Sequence, residues 1–307
     1  MTIGGNAQNY LAVDIGATKA AIAVISGELQ LINQVSVPTG KAEKIWEQIE
    51  NSVRELVSSA KVEISAVGIG SAGPINLRAG EISPINIPTW RNFPIVEKFS
   101  KLTGTPKVKL CGDAVALTLA ESKIGAGQDV DNFLGMVVST GVGGGLFLNK
   151  KIYNGISGNA GYFGHHAISF EGGLCACGRI GCLELFASGP MMVQAAVKAG
   201  WKNPESNFEA LSDDARKGDQ IAIQSIDKGA KALAVGIVNV LEILDINTVI
   251  IGGGVIKAGA IYWDLLSKHV ESEAQFAKFL QKVDLRQSKL SSDAGLFGAA
   301  LLAMDNH

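Results

Sequence analysis

The chain has 307 residues, 47% of them hydrophobic and 18% charged, and its 27 Lys and Arg against 29 Asp and Glu leave a net charge of −2. A chain of this length and composition buries a large core and divides readily into two lobes, and its charge balance excludes the basic surface that nucleic acid or anionic lipid requires. It offers no apolar run of about 20 residues to span a membrane, and its opening, MTIGGNAQNY, has neither the basic nor the apolar part of a secretory signal. A cytoplasmic protein acting on a small neutral or anionic ligand is expected.

The first element reads as a β-hairpin over residues 10–25, with Asp14, Gly16, Thr18 and Lys19 in its turn. A third strand is expected over 29–37. A helix follows over 41–60, where Ile45, Ile49, Val53 and Leu56 recur at helical spacing. Residues 64–69 form a buried strand that runs into Gly-Ser-Ala-Gly-Pro. Residues 80–93 are loop-rich, 95–103 a short helix, 108–111 a strand stopping at Gly112-Asp113, and 114–124 a helix.

Residues 133–148 then repeat the opening design of apolar strand, glycine turn and apolar strand. This internal repeat reads as two related lobes facing one cleft. Residues 1–113, joined by a C-terminal helix 293–307, make one lobe and 114–292 the other. The stretch 155–186 is irregular and glycine-rich. Helices are expected at 190–199, 206–217, 219–228 and 230–244, then a strand at 248–251 running into Gly252-Gly253-Gly254. An apolar helix at 295–304 must dock on another element.

Of the four cysteines, three lie between Cys175 and Cys182. Zinc takes soft or borderline donors in a tetrahedron, and Cys175-Ala-Cys177-Gly-Arg-Ile-Gly-Cys182 folds three thiolates onto one ion, with His165 the best-placed fourth ligand and His166 its rival. Three thiolates and an imidazole close the coordination sphere, so the zinc is expected to be structural.

Two glycine turns suit phosphate oxygens. In the first, Thr18 can donate a hydrogen bond, Lys19 supplies positive charge and Asp14 can hold a hydrated Mg²⁺. The second is Ser139-Thr140-Gly141-Val142-Gly143-Gly144-Gly145, and Gly252-Gly253-Gly254 offers bare backbone for a flat adenine or ribose. Asp113 ends a strand and opens a helix, where a carboxylate can both cap the helix and accept a proton from a hydroxyl. Gly68-Ile-Gly70-Ser-Ala-Gly73 matches a dinucleotide fingerprint only in letters, since Pro74 and a loop follow it, and the Gly-Lys-Ser/Thr phosphate loop is absent.

Taken together these residues resemble the ROK family of sugar kinases, within the actin-like ATPase superfamily. DIGATK is similar to the family's first phosphate motif, with Ala17 where glycine is usual; STGVGGG is similar to the second and IIGGG to the adenosine motif; GHH followed by CACGRIGCLE resembles the zinc signature. The resemblance implies an α/β fold of two actin-like (ribonuclease H-like) lobes with a cleft between them and a structural zinc loop in the second. It implies a dimeric kinase using ATP, Mg²⁺ and Zn²⁺, with nucleotide held by Asp14, Gly16, Thr18, Lys19, Thr140, Gly141, Gly143, Gly253 and Gly254. It also implies Asp113 as catalytic base, His165 as both zinc ligand and sugar contact, and Glu184 as a sugar contact. Gly112 stands where the family has Asn, and Tyr162 where it has Glu, so glucose specificity does not carry over. Tyr162 can stack on a sugar face, and the loop Asn86-Ile-Pro-Thr-Trp90-Arg91 can supply compensating contacts.

The expected activity is phosphorylation of a hydroxyl of a monosaccharide or amino sugar, of glucokinase or N-acetylhexosamine kinase type, by a cytoplasmic homodimer. The alternative is a catalytically degenerate ROK protein that senses sugar, against which Asp113, Lys19 and Glu184 are all present. A zinc-based interaction module on an unrelated α/β enzyme would leave both phosphate turns unexplained. Only about nine residues precede the first strand, so no helix-turn-helix is expected.

Overall fold

The computed structural model describes residues 8–305 apart from 17, 40–43, 204, 291 and 292. The expectations for the opening seven residues, for Ala17, for residues 41–43 of the first helix and for residues 306 and 307 of the last lie outside the described residues. The chain divides into two units: residues 1–124, 152–160 and 292–307, and residues 125–151 and 161–291.

In the first unit the chain runs through β1 (Asn9–Ile15), β2 (Lys19–Ser26), β3 (Leu31–Pro38), α1 (Ile45–Ala60), β4 (Ile64–Ser71), the short β5 (Ile75–Asn76) and β6 (Glu81–Ile82), α2 (Ile95–Thr103), β7 (Val108–Gly112) and α3 (Asp113–Ile124), and a C-terminal helix (Ala294–Met304) completes it. The main sheet has the order β3-β2-β1-β4-β7. β1 is antiparallel to β2 and parallel to β4.

Alternation along β1 assigns its two faces. Leu11, Val13 and Ile15 pack with Ile45, Ile49, Val53 and Leu56 of α1 and with Ile95 and Phe99 of α2. The four α1 residues are those whose spacing predicted the helix, and they are its buried positions. Ala12 faces the other way, onto Leu296, Ala299 and Ala300 of the C-terminal helix.

Small residues make that second packing possible. Gly68 of β4 lies opposite Ala12 in register, and a Cβ on Gly68 would stand 1.8 Å from the carbonyl oxygen of Ala299. On the helix, a Cβ on Gly298 would stand 1.8 Å from the carbonyl oxygen of Ala116 in α3. The C-terminal helix therefore lies directly on sheet and helix backbone. This contact places α3 in the first unit, whereas the sequence reading had the second lobe begin at residue 114. Residues 152–160 also belong to the first unit, where Asn159 exchanges hydrogen bonds with the backbone N–H and carbonyl of Ile75 at 2.9 and 2.8 Å.

The second unit contains β8 (Phe133–Val138), β9 (Val142–Leu148), the first residue of β10 (Lys151–Tyr153), α4 (Glu184–Ala187), α5 (Gly189–Lys198), α6 (Phe208–Arg216), α7 (Gln220–Leu244), β11 (Thr248–Gly252), α8 (Ala260–Ala274) and β12 (Asp284–Gln287). Its sheet order, β10-β9-β8-β11-β12, repeats that of the first: a hairpin on one side and two parallel strands on the other. The internal repeat read from the two glycine turns is thus a repeat of topology. Leu134, Met136, Val249 and Ile251 of the sheet share a core with Ile226, Leu233, Ile237 and Leu241 of α7.

Two helices were expected at 219–228 and 230–244; the structure has the single 25-residue α7. Gly229 does not end it, because the helix needs that gap: a Cβ there would stand 2.3 Å from Met192 Sδ. Neither α8 nor β12 was expected. α8 buries only Tyr262, Leu266 and Val270, and β12 is the half-exposed sequence Asp-Leu-Arg-Gln, held by parallel pairing to β11. Among the described residues no helix is long and apolar enough to cross a membrane.

Forcing a branched side chain into the Gly298 seam meets backbone rather than a side chain that can turn away. Gly298→Val is expected to cost about 3 kcal/mol, the upper part of the usual range for overpacking, read as a lowered midpoint of urea unfolding. An unchanged midpoint would mean that the C-terminal helix contributes little to the first unit.

Candidate active site and metal cluster

The first unit gathers two carboxylates. Asp14 is the last but one residue of β1, on the same face as Ala12, and pairs in register with Gly70 of β4. Asp113 directly follows β7 and opens α3. Gly70 lies beside both: a Cβ there would stand 3.9 Å from Asp14 Oδ1 and 3.8 Å from the Cα of Asp113. Asp113 Oδ1 accepts a hydrogen bond from the N–H of Ala114 at 2.7 Å, which holds the carboxylate at the start of its helix. Asp14 meets the first turn of the C-terminal helix, where a Cβ on Gly295 would stand 2.3 Å from Asp14 Oδ2. Sequence reasoning did not single out Gly295; the unexplained demand that the tail helix dock somewhere was its only trace.

Burial and the neighbouring charge of Asp113 push the Asp14 carboxyl up to about 7, against a smaller opposing effect of Lys19. Two carboxylates that resist joint ionisation form a place for a proton or a cation. Cys111, one strand residue away, is buried and its thiol is pushed well above its usual range by that burial and by both carboxylates, so it is no nucleophile.

The turn beyond Asp14 is closed by the N–H of Gly16 donating to Lys19 O at 2.9 Å. Thr39 braces it, its N–H donating to Thr18 O at 2.9 Å and its hydroxyl to Gly16 O at 3.2 Å. Thr18 and Lys19 are left exposed. Asn86 Nδ2 donates to Gly16 O at 3.4 Å, so this member of the 86–91 loop reaches the turn. Its companions serve the loop itself. Trp90 is buried and stacks on Phe93 at 4.2 Å, and Arg91 Nη1 donates to the carbonyls of Pro84, Ile87 and Trp90 at 2.7, 3.0 and 3.0 Å. At Gly112 an added Cβ would make an ordinary 3.6 Å contact with Val115 Cγ2, so the backbone does not itself demand glycine there.

In the second unit the Ser139–Gly145 segment turns the chain at Ser139–Gly141 from β8 into the start of β9, with Ser139 N–H donating to Gly141 O at 2.9 Å and Thr140 exposed at the tip. Gly189 N–H donates to Ser139 O at 2.9 Å and Val255 N–H to Val138 O at 3.0 Å. Gly253, at φ 104°, comes so close to β8 that a Cβ would stand 2.3 Å from Val138 O, and a Cβ on Gly254 would stand 3.1 Å from Ser139 Oγ. The two glycine motifs of this unit are therefore neighbours. Glu184 joins them: its Oε2 accepts from the N–H of Val142 at 2.9 Å. Tyr162 stands partly exposed with its ring 4.7 Å from that of His165.

His165, Cys175, Cys177 and Cys182 converge, all four ligand atoms lying within 4.8 Å of one another. His165 Nδ1 is 3.4 Å from Cys175 Sγ, and Cys177 Sγ is 3.6 Å from Cys182 Sγ. Tetrahedral zinc with thiolate and imidazole ligands has donor separations of about 3.4–3.8 Å, so the donor chemistry fits and these two separations fall in that range. Gly181, at φ 72°, packs so tightly that a Cβ would stand 1.9 Å from Ser169 O. His166 is not in the cluster. Its Nδ1 donates to Phe163 O at 2.5 Å and its ring lies against Phe163. Adjacent histidines thus take different tasks, and the alternative left open by spacing resolves to His165.

The sequence model of the ROK family matches residues 10–306. The chain belongs to the ROK family. An N-acetylmannosamine kinase of Haemophilus influenzae (strain PittEE) is 33% identical over 297 residues, which span 96% of this chain and 95% of the relative. The structure of a ROK hexokinase from Thermus thermophilus is 33% identical and superposes with a TM-score of 0.83, covering 97% of this chain and 98% of that one. A ROK family glucokinase from Streptomyces griseus, solved in complex with glucose and AMPPNP, is 30% identical with a TM-score of 0.81 and covers 96% and 99% of the two chains. The fold of this ROK protein is accordingly the mixed α/β, actin-like fold, with a Cys₃His cluster compatible with zinc.

The raised Asp14 pKa has a thermodynamic consequence for the metal- and nucleotide-free protein. Its folded value, about 7, lies above the ordinary value of 3.8. Asp14 therefore stabilises the fold below the ordinary value and loses that contribution as pH rises toward 7. Asp14→Asn is expected to melt several degrees above the parent at about pH 8 and close to it at about pH 4. An equal gap at both pH values would show that Asp14 titrates as a solvated carboxylate.

Proposed function

We propose that this chain is an ATP-dependent carbohydrate kinase that transfers the γ-phosphoryl group to a hydroxyl of a monosaccharide or amino sugar, of the glucokinase or N-acetylhexosamine kinase type. The observation that carries the reading is Asp113, half-buried beside Asp14 at the mouth of a glycine turn. The kinases among the relatives support it, as do the glucose and AMPPNP bound by the Streptomyces griseus glucokinase.

Asp113 accepts the proton of the sugar hydroxyl as its oxygen bonds to the γ-phosphorus and the bond to the β–γ bridging oxygen breaks, releasing ADP. Phosphoryl transfer needs positioning and charge stabilisation more than covalent chemistry by the protein. In the first unit Thr18 and Lys19 meet phosphate oxygens, Gly16 lets the chain approach them, and Asn86 contacts the sugar. In the second unit Thr140, Gly141 and Gly143 present hydroxyl and backbone to phosphate, Gly253 and Gly254 face the adenosine, and Tyr162, His165 and Glu184 face the sugar. Mg²⁺, when bound, would neutralise phosphate charge, with Asp14 as its holder in the first unit. Zinc would be held by His165, Cys175, Cys177 and Cys182 and would brace the loop that presents Tyr162 and Glu184. The chain works as a cytoplasmic homodimer on this reading, which the family resemblance supports.

Asp113→Asn keeps size and polarity but not basicity. Sugar-dependent ADP release from Mg-ATP, measured over a panel of aldoses, ketoses and N-acetylhexosamines, is expected to fall by about 10²–10⁴ in the variant, while calorimetry still detects sugar and nucleotide binding. Normal turnover would remove Asp113 from its role. Metal analysis of freshly purified protein is expected to find one zinc per chain, lost together with thermal stability and sugar affinity on chelation; protein free of zinc as purified would refute the structural site.

A further inference from the structure

The Ser139–Gly145 turn is fastened unevenly. On the β8 side it is tied by backbone: Gly189 N–H to Ser139 O, and Val255 N–H to Val138 O. On the β9 side, where the chain leaves the tip, the N–H of Val142 is met by a side chain, Glu184 Oε2 at 2.9 Å. The contact is close on a second count. A Cβ on Gly141 would stand 2.5 Å from the same oxygen, so the carboxylate lies against the turn and Gly141 leaves it room.

Glu184 is itself anchored from one direction. It follows Leu183, which is fully buried, and Cys182, also fully buried and a member of the Cys₃His cluster. Leu183 N–H donates to His166 O at 3.0 Å, and a Cβ on Gly236 of α7 would stand 2.8 Å from Leu183 Cδ2, which fixes the start of α4 on the long helix. The order along the chain is thus cluster ligand, core anchor, carboxylate, and the carboxylate ends on the glycine turn. A charge-assisted hydrogen bond to backbone N–H is among the stronger that a turn can receive, and it constrains this one where Gly141 passes into β9.

We infer that Glu184 is a positioning residue for the Ser139–Gly145 turn, and that through it the Cys₃His cluster sets how firmly the chain holds nucleotide phosphates. This goes beyond the sugar contact that the family resemblance assigns to Glu184. It makes zinc occupancy matter to the nucleotide as well as to the sugar, by a route contained in the second unit. The nucleotide part rests on the kinase reading above; the ordering of the turn does not.

The test uses the zinc-loaded full chain without sugar, with two readouts. Hydrogen exchange over residues 139–145 reports the turn, and calorimetry with Mg-AMPPNP reports nucleotide affinity. Glu184→Ala is expected to speed exchange at Val142 and its neighbours and to weaken Mg-AMPPNP about tenfold, with zinc content unchanged. Glu184→Gln, whose amide oxygen can accept the same N–H, is expected to recover most of both. Chelating zinc from the parent should reproduce the Glu184→Ala behaviour and add little to it in that variant. Should Glu184→Ala fail to fold, Gly141→Ala, which displaces the carboxylate from the other side, is expected to speed the same exchange. Unchanged exchange in the variant with zinc retained would overturn the positioning role. Equal loosening by chelation with and without Glu184 would overturn the route through it. If the parent binds no Mg-AMPPNP, the kinase reading fails instead, and exchange over 139–145 still decides the role of Glu184.

Discussion

The first unit depends on how closely a helix can approach a sheet. Ala12 and Gly68 form a bare row across β1 and β4, and Gly298 is the matching gap on the C-terminal helix. Contacts under 2 Å for an imagined Cβ leave no room for even one methyl group, and protein interiors do not yield that much. Everything nearby follows from this seam. Asp14 is on the same face as Ala12, so it meets the first turn of that helix, and α3, which carries Asp113, is clamped from its other side. The carboxylate pair is thus held by backbone approach, which has few ways to relax.

The two units use one strand order for different purposes. In the first, the turn after the leading strand is accompanied by two carboxylates, one of which is raised by its burial and by the charge of the other. In the second, no such pair stands at the equivalent turn among the described residues; Gly253 and Gly254, which follow β11, the N–H of Gly189 and the carboxylate of Glu184 surround it. The first is suited to handling protons and cations. The second leaves Thr140 exposed at its tip, with the surrounding N–H groups of Ser139, Val142 and Gly189 spent on holding the turn itself. The repeated topology has diverged in this way without a change of architecture.

What could be read in the sequence was what repeats or clusters locally. The α1 stripe followed from spacing, because an amphipathic helix must bury one face; the cysteines followed from their density; Asp113 stood out because a strand ended and a helix began there. What escaped depended on residues distant in sequence. Glu184 and Val142 are 42 positions apart, and nothing in either segment announces the other. Gly229 read as a break because glycine disfavours helix, yet tertiary packing against Met192 outweighed a propensity cost of about 1 kcal/mol. Trp90 and Arg91 looked like ligand contacts by type, and the structure buries Trp90 and spends the exposed Arg91 on carbonyls of their own loop. β12 lacks the apolar alternation of an expected strand; it is held by pairing to β11, by Leu285 against the core and by Arg286, which donates to Ala126 O and pairs with Asp129.

The placement of the C-terminal helix has a consequence for how the protein is made. The sheet it covers is synthesised well before its cover, which lies more than 180 residues further along the chain than the sheet's last strand. Until then Ala12, Ala23 and Ile25 have no partner on that face, while the second unit, continuous but for one excursion, has all of its strands available. During translation the first unit therefore keeps an apolar face uncovered until that helix emerges, a surface of the kind that exposes a nascent chain to aggregation. A change in this late helix would be felt at strands almost the whole described chain away.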